Sequence, residues 1–455
     1  MTEPTPQPVQ PRWRATSPRA VHPVTPFVKA VRVFPAFAAF FAFEGMGSAR
    51  SLGPLGVGAL LVAIVVATAT VAWLQWSRFR FWFDDDGDLR VRSGVLQVNE
   101  RRVQVSRLQS VDVTQPLVAR LFGLAAVRPD VAGTGDKGTR IEYLAYDDAQ
   151  HLRAELLARS AGLRMADGED APEAPERTVV TVPPGVLLES LVLQPVTIVT
   201  TVVAVSFITF AVVTGQWAAL LPSMAIVAAP LFVVGGQFLT WFGFTVSESP
   251  DGLRLRYGLT EHRAQTVPPG RVQAVRIEAP VMWRHRGWVK VTVNVAGATG
   301  GDEAKQRPST LIPVAPLELA RSVIAQVLPG TDPLAVEVVA VPTRARWRSP
   351  LQHRRLATGS DDFVLVARHG WLVPTWDAVP HARTQSVRVT QGPWQRRLRL
   401  ASVHVDSTPG PVRIKAAQRG AEEARFLAEA QSERARLARA TAGPQRWMQP
   451  TEERQ

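Results

Sequence analysis

The chain has 455 residues, 46% of them hydrophobic, with a formal net charge of +13 and a mean hydropathy of +0.02. It holds no cysteine, which excludes disulfide scaffolds, iron–sulfur clusters, cysteine-bound zinc and thiol nucleophiles. The excess of 52 basic over 39 acidic residues is almost wholly arginine, a pattern that points to a GC-rich genome rather than to a nucleic-acid footprint, so no nucleic-acid partner is expected.

Residues 1–32 are rich in proline and carry Arg12, Arg14, Arg19, Lys29 and Arg32 against Glu3, and read as a disordered basic arm. Residues 33–77 read as a first transmembrane hairpin. Leu55 to Trp76 is uncharged and long enough to cross a hydrocarbon core, whereas Val33 to Ala49 is shorter and contains Glu44. Gly45, Gly47, Gly53 and Pro54 mark the expected break between them. Glu44 is either an interfacial group near Arg50 or an intramembrane carboxyl with a function, because a carboxyl at membrane depth costs about 2.5–3.5 kcal/mol.

A first β-rich module follows over 78–162, then an acidic linker over 163–180. Ser190 to Ser247 contains no Asp, Glu, Lys or Arg and breaks near Thr214-Gly215-Gln216. It predicts a second transmembrane hairpin within 181–242, with crossings at Leu191 to Gly215 and Ala218 to Trp241. A second module over 243–329, a basic linker over 330–360, a third module over 361–440 and a disordered tail over 441–455 complete the chain. Arg78 and Arg80 close the first hairpin, and neither hairpin turn offers more than Arg50. The positive-inside rule therefore places the N-terminus and all three modules in the cytoplasm of a multi-pass protein of the bacterial plasma membrane.

The three modules are copies of one unit. Arg107, Gln109 and Val111 recur as Arg271, Gln273 and Val275, and as Arg383, Gln385 and Val387, at offsets of 164 and 112 residues. Gly94, Gly258 and Gly370 each lie fifteen residues before the glutamine, and Gly123 and Gly287 align with Arg399. A spacing held through three copies marks an internal repeat. The motif alternates apolar and polar residues, which predicts a half-buried strand with one wet face. Each copy closes with a helix: Asp147 to Ser160, Pro316 to Val327 and Ala421 to Ala440.

The entry from Leu89 to Gly94, the Arg-x-Gln-Ser/Ala-Val motif and the stretch from Gln115 to Gly123 resemble the bacterial pleckstrin-homology (PH-like) membrane proteins of the YdbT-like family. The resemblance covers about Val33 to Ala440 and implies an α+β membrane protein: four transmembrane helices in two hairpins, and three small PH-like β-barrel or sandwich modules. Each module would be a seven-stranded barrel with a capping C-terminal helix. Arg399, in a glycine column, predicts a looser turn in the third copy. The resemblance implies no reaction, and a smaller related PH-like membrane protein as partner.

The search for chemistry is negative. The eight histidines form no metal-ligand pattern, and Gly133 to Lys137 has the wrong order for a phosphate loop. Asp84, Asp85, Asp86 and Asp88 read as a solvated turn between the membrane and the first strand. No catalytic, cofactor or metal residue is assigned, and the chain is not expected to be an enzyme. The repeated arginines read as strand caps, with the glutamines completing backbone hydrogen bonds; the other reading is a lipid-phosphate ligand set. Arg78, Arg80, Arg344, Arg346, Arg348, Arg354 and Arg355 are candidate contacts to the lipid surface. The expected function is a membrane-anchored scaffold that binds protein partners or the inner membrane surface, and the alternative is a component of a membrane transport or export complex.

Overall fold

The computed structural model describes residues 18–28, 45–95, 97–131, 139–160, 176–215, 220–249, 252–267, 269–296 and 310–441. Glu44, the acidic linker up to residue 175, the Gly133 to Lys137 loop and the C-terminal tail lie outside them. In chain order the elements are α1 (Gly45–Arg78), β1 (Arg80–Phe83), β2 (Leu89–Ser93), β3 (Asn99–Val103), β4 (Leu108–Pro116), α2 (Leu117–Leu121), β5 (Leu124–Val131), β6 (Ile141–Ala145) and α3 (Tyr146–Ser160). Next come β7 (Arg177–Thr181), α4 (Pro184–Val192), α5 (Pro195–Val213), α6 (Leu220–Trp241), β8 (Thr245–Ser249), β9 (Gly252–Tyr257), β10 (Glu261–Val267), β11 (Val272–Glu278), β12 (Trp288–Val295), β13 (Thr310–Pro316) and α7 (Leu317–Val327). The last module adds β14 (Val339–Ala340), β15 (Ala357–Ser360), β16 (Val364–His369), β17 (Thr375–Pro380), β18 (Ser386–Thr390), α8 (Pro393–Arg397), β19 (Leu400–Asp406), β20 (Ile414–Gly420) and α9 (Ala421–Thr441). The chain is thus mixed α and β, and the three closing helices stand where the repeats put them.

Two compact units divide the chain: Met1–Glu173 with Glu261–Gln265, and Ala174–Thr260 with Thr266–Gln455. In the first, β1-β2-β3 form one antiparallel sheet, while β4-β5-β6 form part of another. The outer edge of β4 is covered by Glu261 to Ala264, residues of the second repeat, with Glu261 opposite Pro116 and Ala264 opposite Val113. In the second unit β13-β12-β11-β17-β16-β15-β14 make one seven-stranded sheet, so β11 of the second module pairs with β17 of the third. The last three strands stand as a separate sheet, β18-β19-β20.

The first module thus contributes six named strands as two triplets, β7 and β14 each add a strand to the sheets of the later modules, and the motif strands β4 and β11 pair with strands of the following repeat rather than closing within their own. This corrects the expectation of three separate seven-stranded barrels. Motif strands are edge strands within their own module, and an unpaired edge leaves a row of backbone N–H and C=O groups open to another strand.

Apolar burial explains the packing. In α7, Ala320, Val323, Ile324 and Val327 recur at helical spacing and are buried against β12 and β13. A larger cluster joins Val180, Phe244, Leu255, Val275, Trp283 and Val291. Trp283 is 1% exposed and its indole N–H donates to the Ser190 carbonyl at 3.0 Å, which satisfies the one polar atom of that ring.

Several local expectations change. The helix α1 runs through Gly53 and Pro54, so the turn expected there is not formed; in an apolar segment, helical bonds on either side of a proline have no water to replace them. Gln194 and Pro195 interrupt the second apolar block, so the long helix begins at Pro195 and Leu191 belongs to α4. Among the described residues, Pro195–Val213 is the one helix long and apolar enough to cross a membrane, with a hydropathy of 2.4, and Ala228–Trp241 is a shorter apolar stretch.

Residues 18–28, expected in a disordered arm, pack on the first module. Arg19 bridges to Phe81, and Val28 is fully buried in a cluster with Leu124 and Tyr143. The basic linker is also ordered, because Val339–Ala340 pairs with β15 and Ala345 is buried. Finally, Arg399 takes the left-handed backbone of the glycines it aligns with, at φ 51° against 64° for Gly123 and 63° for Gly287. The turn is therefore kept despite the side chain, at a cost of about 1–2 kcal/mol of backbone strain. At the other repeated glycines the requirement is absolute: φ is 112°, 107° and 88° at Gly94, Gly258 and Gly370, and a Cβ on Gly94 or Gly370 would lie 1.9 Å from a carbonyl oxygen.

Candidate functional site

The repeated motif builds the contact between modules. In each copy the arginine ends a short 3₁₀ turn (Val105–Arg107, Pro269–Arg271 and His381–Arg383) and the strand follows. Gln273 donates its side-chain amide to the Arg271 carbonyl at 3.2 Å. Arg383 does something different: its guanidinium donates to the Gly270 carbonyl at 2.8 Å, binding the third motif to the second. Burial, and then the positive charge of Arg271, push the Arg383 pKa down. Arg107 and Gln385 are exposed. The residues of one motif copy are therefore not equivalent to those of the next, although the sequence pattern is the same.

The strands carry the same contrast. Val111 and Val113 of β4 are buried, as are Val275 and Ile277 of β11. Val387 is only half-buried and Val389 is 43% exposed, so the half-buried strand predicted for the third copy is instead largely open.

The junction of β11 with β17 contains a buried ion pair. Asp377 is fully buried, and Arg276, directly opposite it, donates to both carboxylate oxygens at 2.6 and 2.9 Å. Burial works against the arginine charge, but the hydrogen bonds and charge of Asp377 outweigh it and hold the Arg276 pKa above its ordinary value. His369 lies 3.8 Å from the same carboxylate; burial pushes its pKa down despite that neighbour. A second tie is Asn294 of β12. Its amide donates to the carbonyls of Val412 at 2.8 Å and Thr408 at 3.3 Å, and its oxygen accepts the Val412 N–H at 2.9 Å. The loop approaches so closely that a Cβ on Gly410 would lie 2.2 Å from the Asn294 oxygen.

Below this junction lies a cleft of about 590 Å³, lined by Gly270, Val272, Val327, Phe363, His381, Arg383, Arg434 and Leu437 among others. His381 is 1% exposed; Nε2 faces the Asp361 carbonyl at 3.0 Å and Nδ1 has no partner. Asp361 accepts the N–H groups of Phe363 and Val364 at 2.8 and 2.7 Å and the Thr331 hydroxyl at 3.0 Å. Burial raises its pKa, but these bonds and His381 outweigh that and hold it below the usual carboxylate range. Phe363 and Leu437 are exposed at the rim, 59% and 51%. The arrangement is a largely apolar cleft that also carries Arg383, Arg434, Asp361 and Asp362, suited to binding rather than to proton transfer.

Other residues singled out in the sequence separate from this site. Arg344 donates to the Arg399 carbonyl at 3.2 Å, Arg346 lies over the Trp347 ring at 5.2 Å and Arg348 is exposed. Trp347 and Leu351 beside them are 65% and 62% exposed, so the basic residues share one surface with bare apolar side chains. Arg78 is exposed, and Arg80 donates to the Phe79 carbonyl. The acidic run does form a turn, but between β1 and β2 rather than before the first strand: Asp84 pairs with Arg90 at 3.0 Å, and Asp86 and Asp88 with Arg102, each at 2.7 Å. Among the described residues no cluster of histidine or acidic side chains could hold a metal ion.

The sequence matches the bacterial PH domain family over residues 34–160, 194–331 and 309–435. The chain belongs to the bacterial PH domain family. It is also 22% identical over 293 residues to the UPF0699 transmembrane protein YdbT of Bacillus subtilis (strain 168), covering 58% of this chain and 57% of that protein. The chain thus aligns with somewhat over half the length of that relative. The resemblance to YdbT-like bacterial PH membrane proteins is borne out, and the repeats identified by the Arg-x-Gln motif are its PH modules.

Asp377 and Asn294 were not selected from the sequence, and His381, whose place before the third motif reads as a loop or surface side chain, is instead 1% exposed. Asp377 carried no separate signal, since a single acid between Trp376 and Ala378 is unremarkable until its partner strand is known. Asn294 did carry one, as an amide inside the otherwise apolar run Val289 to Val295.

Proposed function

We propose that this membrane-associated protein is a scaffold, anchored by its apolar helices with its N-terminus and three PH modules in the cytoplasm, whose modules bind protein partners. The observation that carries this reading is the use of motif-strand edges for contact between modules: β4 with Glu261 to Ala264, and β11 with β17. A module that continues its sheet with a neighbour's strand gains main-chain hydrogen bonds without any ligand pocket, a recurrent mode of protein recognition. A smaller membrane protein with one PH module is the partner this reading favours. Crosslinking in membranes followed by affinity purification tests it: a stoichiometric protein partner, or a defined multimer, is expected. Recovery of the chain solely as a monomer would contradict it.

A second activity of the same scaffold, contact with the inner leaflet, is favoured by the surface of Arg344, Arg346, Trp347, Arg348 and Leu351, where cationic and exposed apolar groups adjoin. Each arginine near an anionic surface contributes about 1 kcal/mol, or roughly fivefold in affinity. Replacing Arg344, Arg346 and Arg348 with glutamine should weaken binding to anionic vesicles by roughly a hundredfold at low salt. Unchanged binding would remove the surface from consideration.

A further inference from the structure

Among the described residues, two strands of the kinds used in the internal junctions remain at the end of a sheet. β3 is the outer strand of β1-β2-β3, and β18 is the outer strand of β18-β19-β20. Among the described residues neither outer edge has a strand partner. In repeat terms they are complementary. β18 is the counterpart of β4 and β11, which accept a strand from the next module. β3 is the counterpart of β10 and β17, the strands that are given.

The two internal junctions share one register. In the first, Glu261 stands opposite Pro116; in the second, Thr375 stands opposite Glu278, and the Ala279 N–H to Pro374 carbonyl bond at 2.8 Å carries the ladder further. Extended to Val373 opposite Pro280, the second ladder pairs the repeat counterparts of Glu261 and Pro116. Carrying the same register to the open edges sets Asn99 opposite Thr390, Arg101 opposite Arg388 and Val103 opposite Ser386. All five residues of β3 then meet all five of β18, with no overhang.

We infer that β18 of one chain accepts β3 of a second copy, continuing between molecules the edge pairing that joins the modules within one. This rests on the scaffold reading above and adds a second copy of the chain to its partners. A giving edge and an accepting edge on one chain make a head-to-tail contact, which builds rings or open arrays rather than a two-fold dimer. The partial exposure of Val389 is consistent with it, since its counterpart Ile277, in a strand paired with β17, is 1% exposed.

Charge at the central pair opposes the contact, but Arg388 already has a partner. In the second module, Arg276 draws its acid across the junction from Asp377 and has Asn294 on the neighbouring strand of its own sheet. In the third, the position of Asn294 is taken by Asp406, which accepts two bonds from Arg388 at 2.8 and 3.1 Å. Arg388 is thus neutralised from within its sheet and requires no incoming acid. The incoming Arg101 nevertheless adds a like charge, which weakens the contact, so the Arg101→Asp variant should strengthen it.

The cysteine-free sequence makes the test direct. Odd-numbered β11 positions exchange hydrogen bonds with β17, as the Ala279 N–H bond shows. Asn99 and Thr390 therefore fall at a non-hydrogen-bonded pair, where side chains approach closely enough for a disulfide. Two full-length proteins, Asn99→Cys and Thr390→Cys, are mixed in membranes or detergent and oxidised. A mixed disulfide dimer is expected, at least several-fold above Asn99→Cys with Val389→Cys, whose side chain faces the other side. Adding Arg101→Asp to the Asn99→Cys chain should raise the yield. Val389→Pro in the Thr390→Cys chain should abolish it, because the N–H it removes points to the open edge, and an unchanged melting temperature shows that the module still folds. A yield no higher than the Val389→Cys control, or one indifferent to Val389→Pro, overturns the inference. If that happens while purification from membranes still yields a partner, the scaffold reading stands and only this contact fails.

Discussion

Strands β11 and β18 carry the same motif in consecutive modules, yet one lies inside a seven-stranded sheet and the other forms an edge. In β11 the alternating valine and isoleucine are buried and Arg276 is locked to a fully buried carboxylate. In β18 the equivalent valines are partly or largely open, and Arg388 is held by an acid of its own sheet in a pair that water reaches. The difference lies in what stands beyond the strand, not in the strand. A local pattern thus specifies strand, face and register, while burial is decided by the neighbour.

The largest effect that would sharpen this contrast is at the ion pair. Arg276→Ala leaves Asp377 buried without its cation and should destabilise the second unit by about 3–5 kcal/mol. Arg388→Ala should scarcely change stability, because its partner is exposed and screened. Thermal unfolding of the two variants in detergent separates them, and equal losses would break the comparison.

The next effect is at the amide that binds β12 to the following module. Asn294→Ala removes three hydrogen bonds and leaves the Val412 N–H and carbonyl without that partner, for about 1–3 kcal/mol. The same melting measurement reads it, and a variant as stable as the parent would show that the loop around Gly410 is held by other contacts.

The smallest effect is pH dependence. His369 has a folded-state pKa pushed below its ordinary 6.5, chiefly by burial. The unfolded chain therefore binds the proton more readily, so stability is level above pH 6.5 and falls as the pH drops from there toward the folded-state pKa. His369→Gln should flatten that part of the curve in a melting series between pH 7.5 and 5.5; an identical slope in the variant would assign the dependence elsewhere.

Much of the fold was legible because repetition supplied what a single pattern lacks. Three aligned glycines at positive φ mark positions whose backbone favours glycine, and the three closing helices begin within one residue of their expected starts. What could not be read was the pairing between modules, because the sequence of β11 does not say which strand lies beyond it. The edges of the apolar segments misled for a related reason. Gly53 and Pro54 would end a helix in water but do not end α1, and Pro195 sets a boundary inside an uncharged run that composition treats as uniform. Residues 18–28 read as disordered from their prolines, yet Val21 and Val28 find a surface on the first module.

Amide hydrogen exchange on the full-length protein tests the central claim most directly, since the N–H groups of Val275 and Ile277 point into the junction with β17 and those of Val387 and Val389 point to an open edge. At low protein concentration the first pair should exchange slowly and the second quickly, with the second pair becoming protected as concentration rises. Fast exchange at Val275 and Ile277, or concentration-independent protection at Val387 and Val389, would contradict the account.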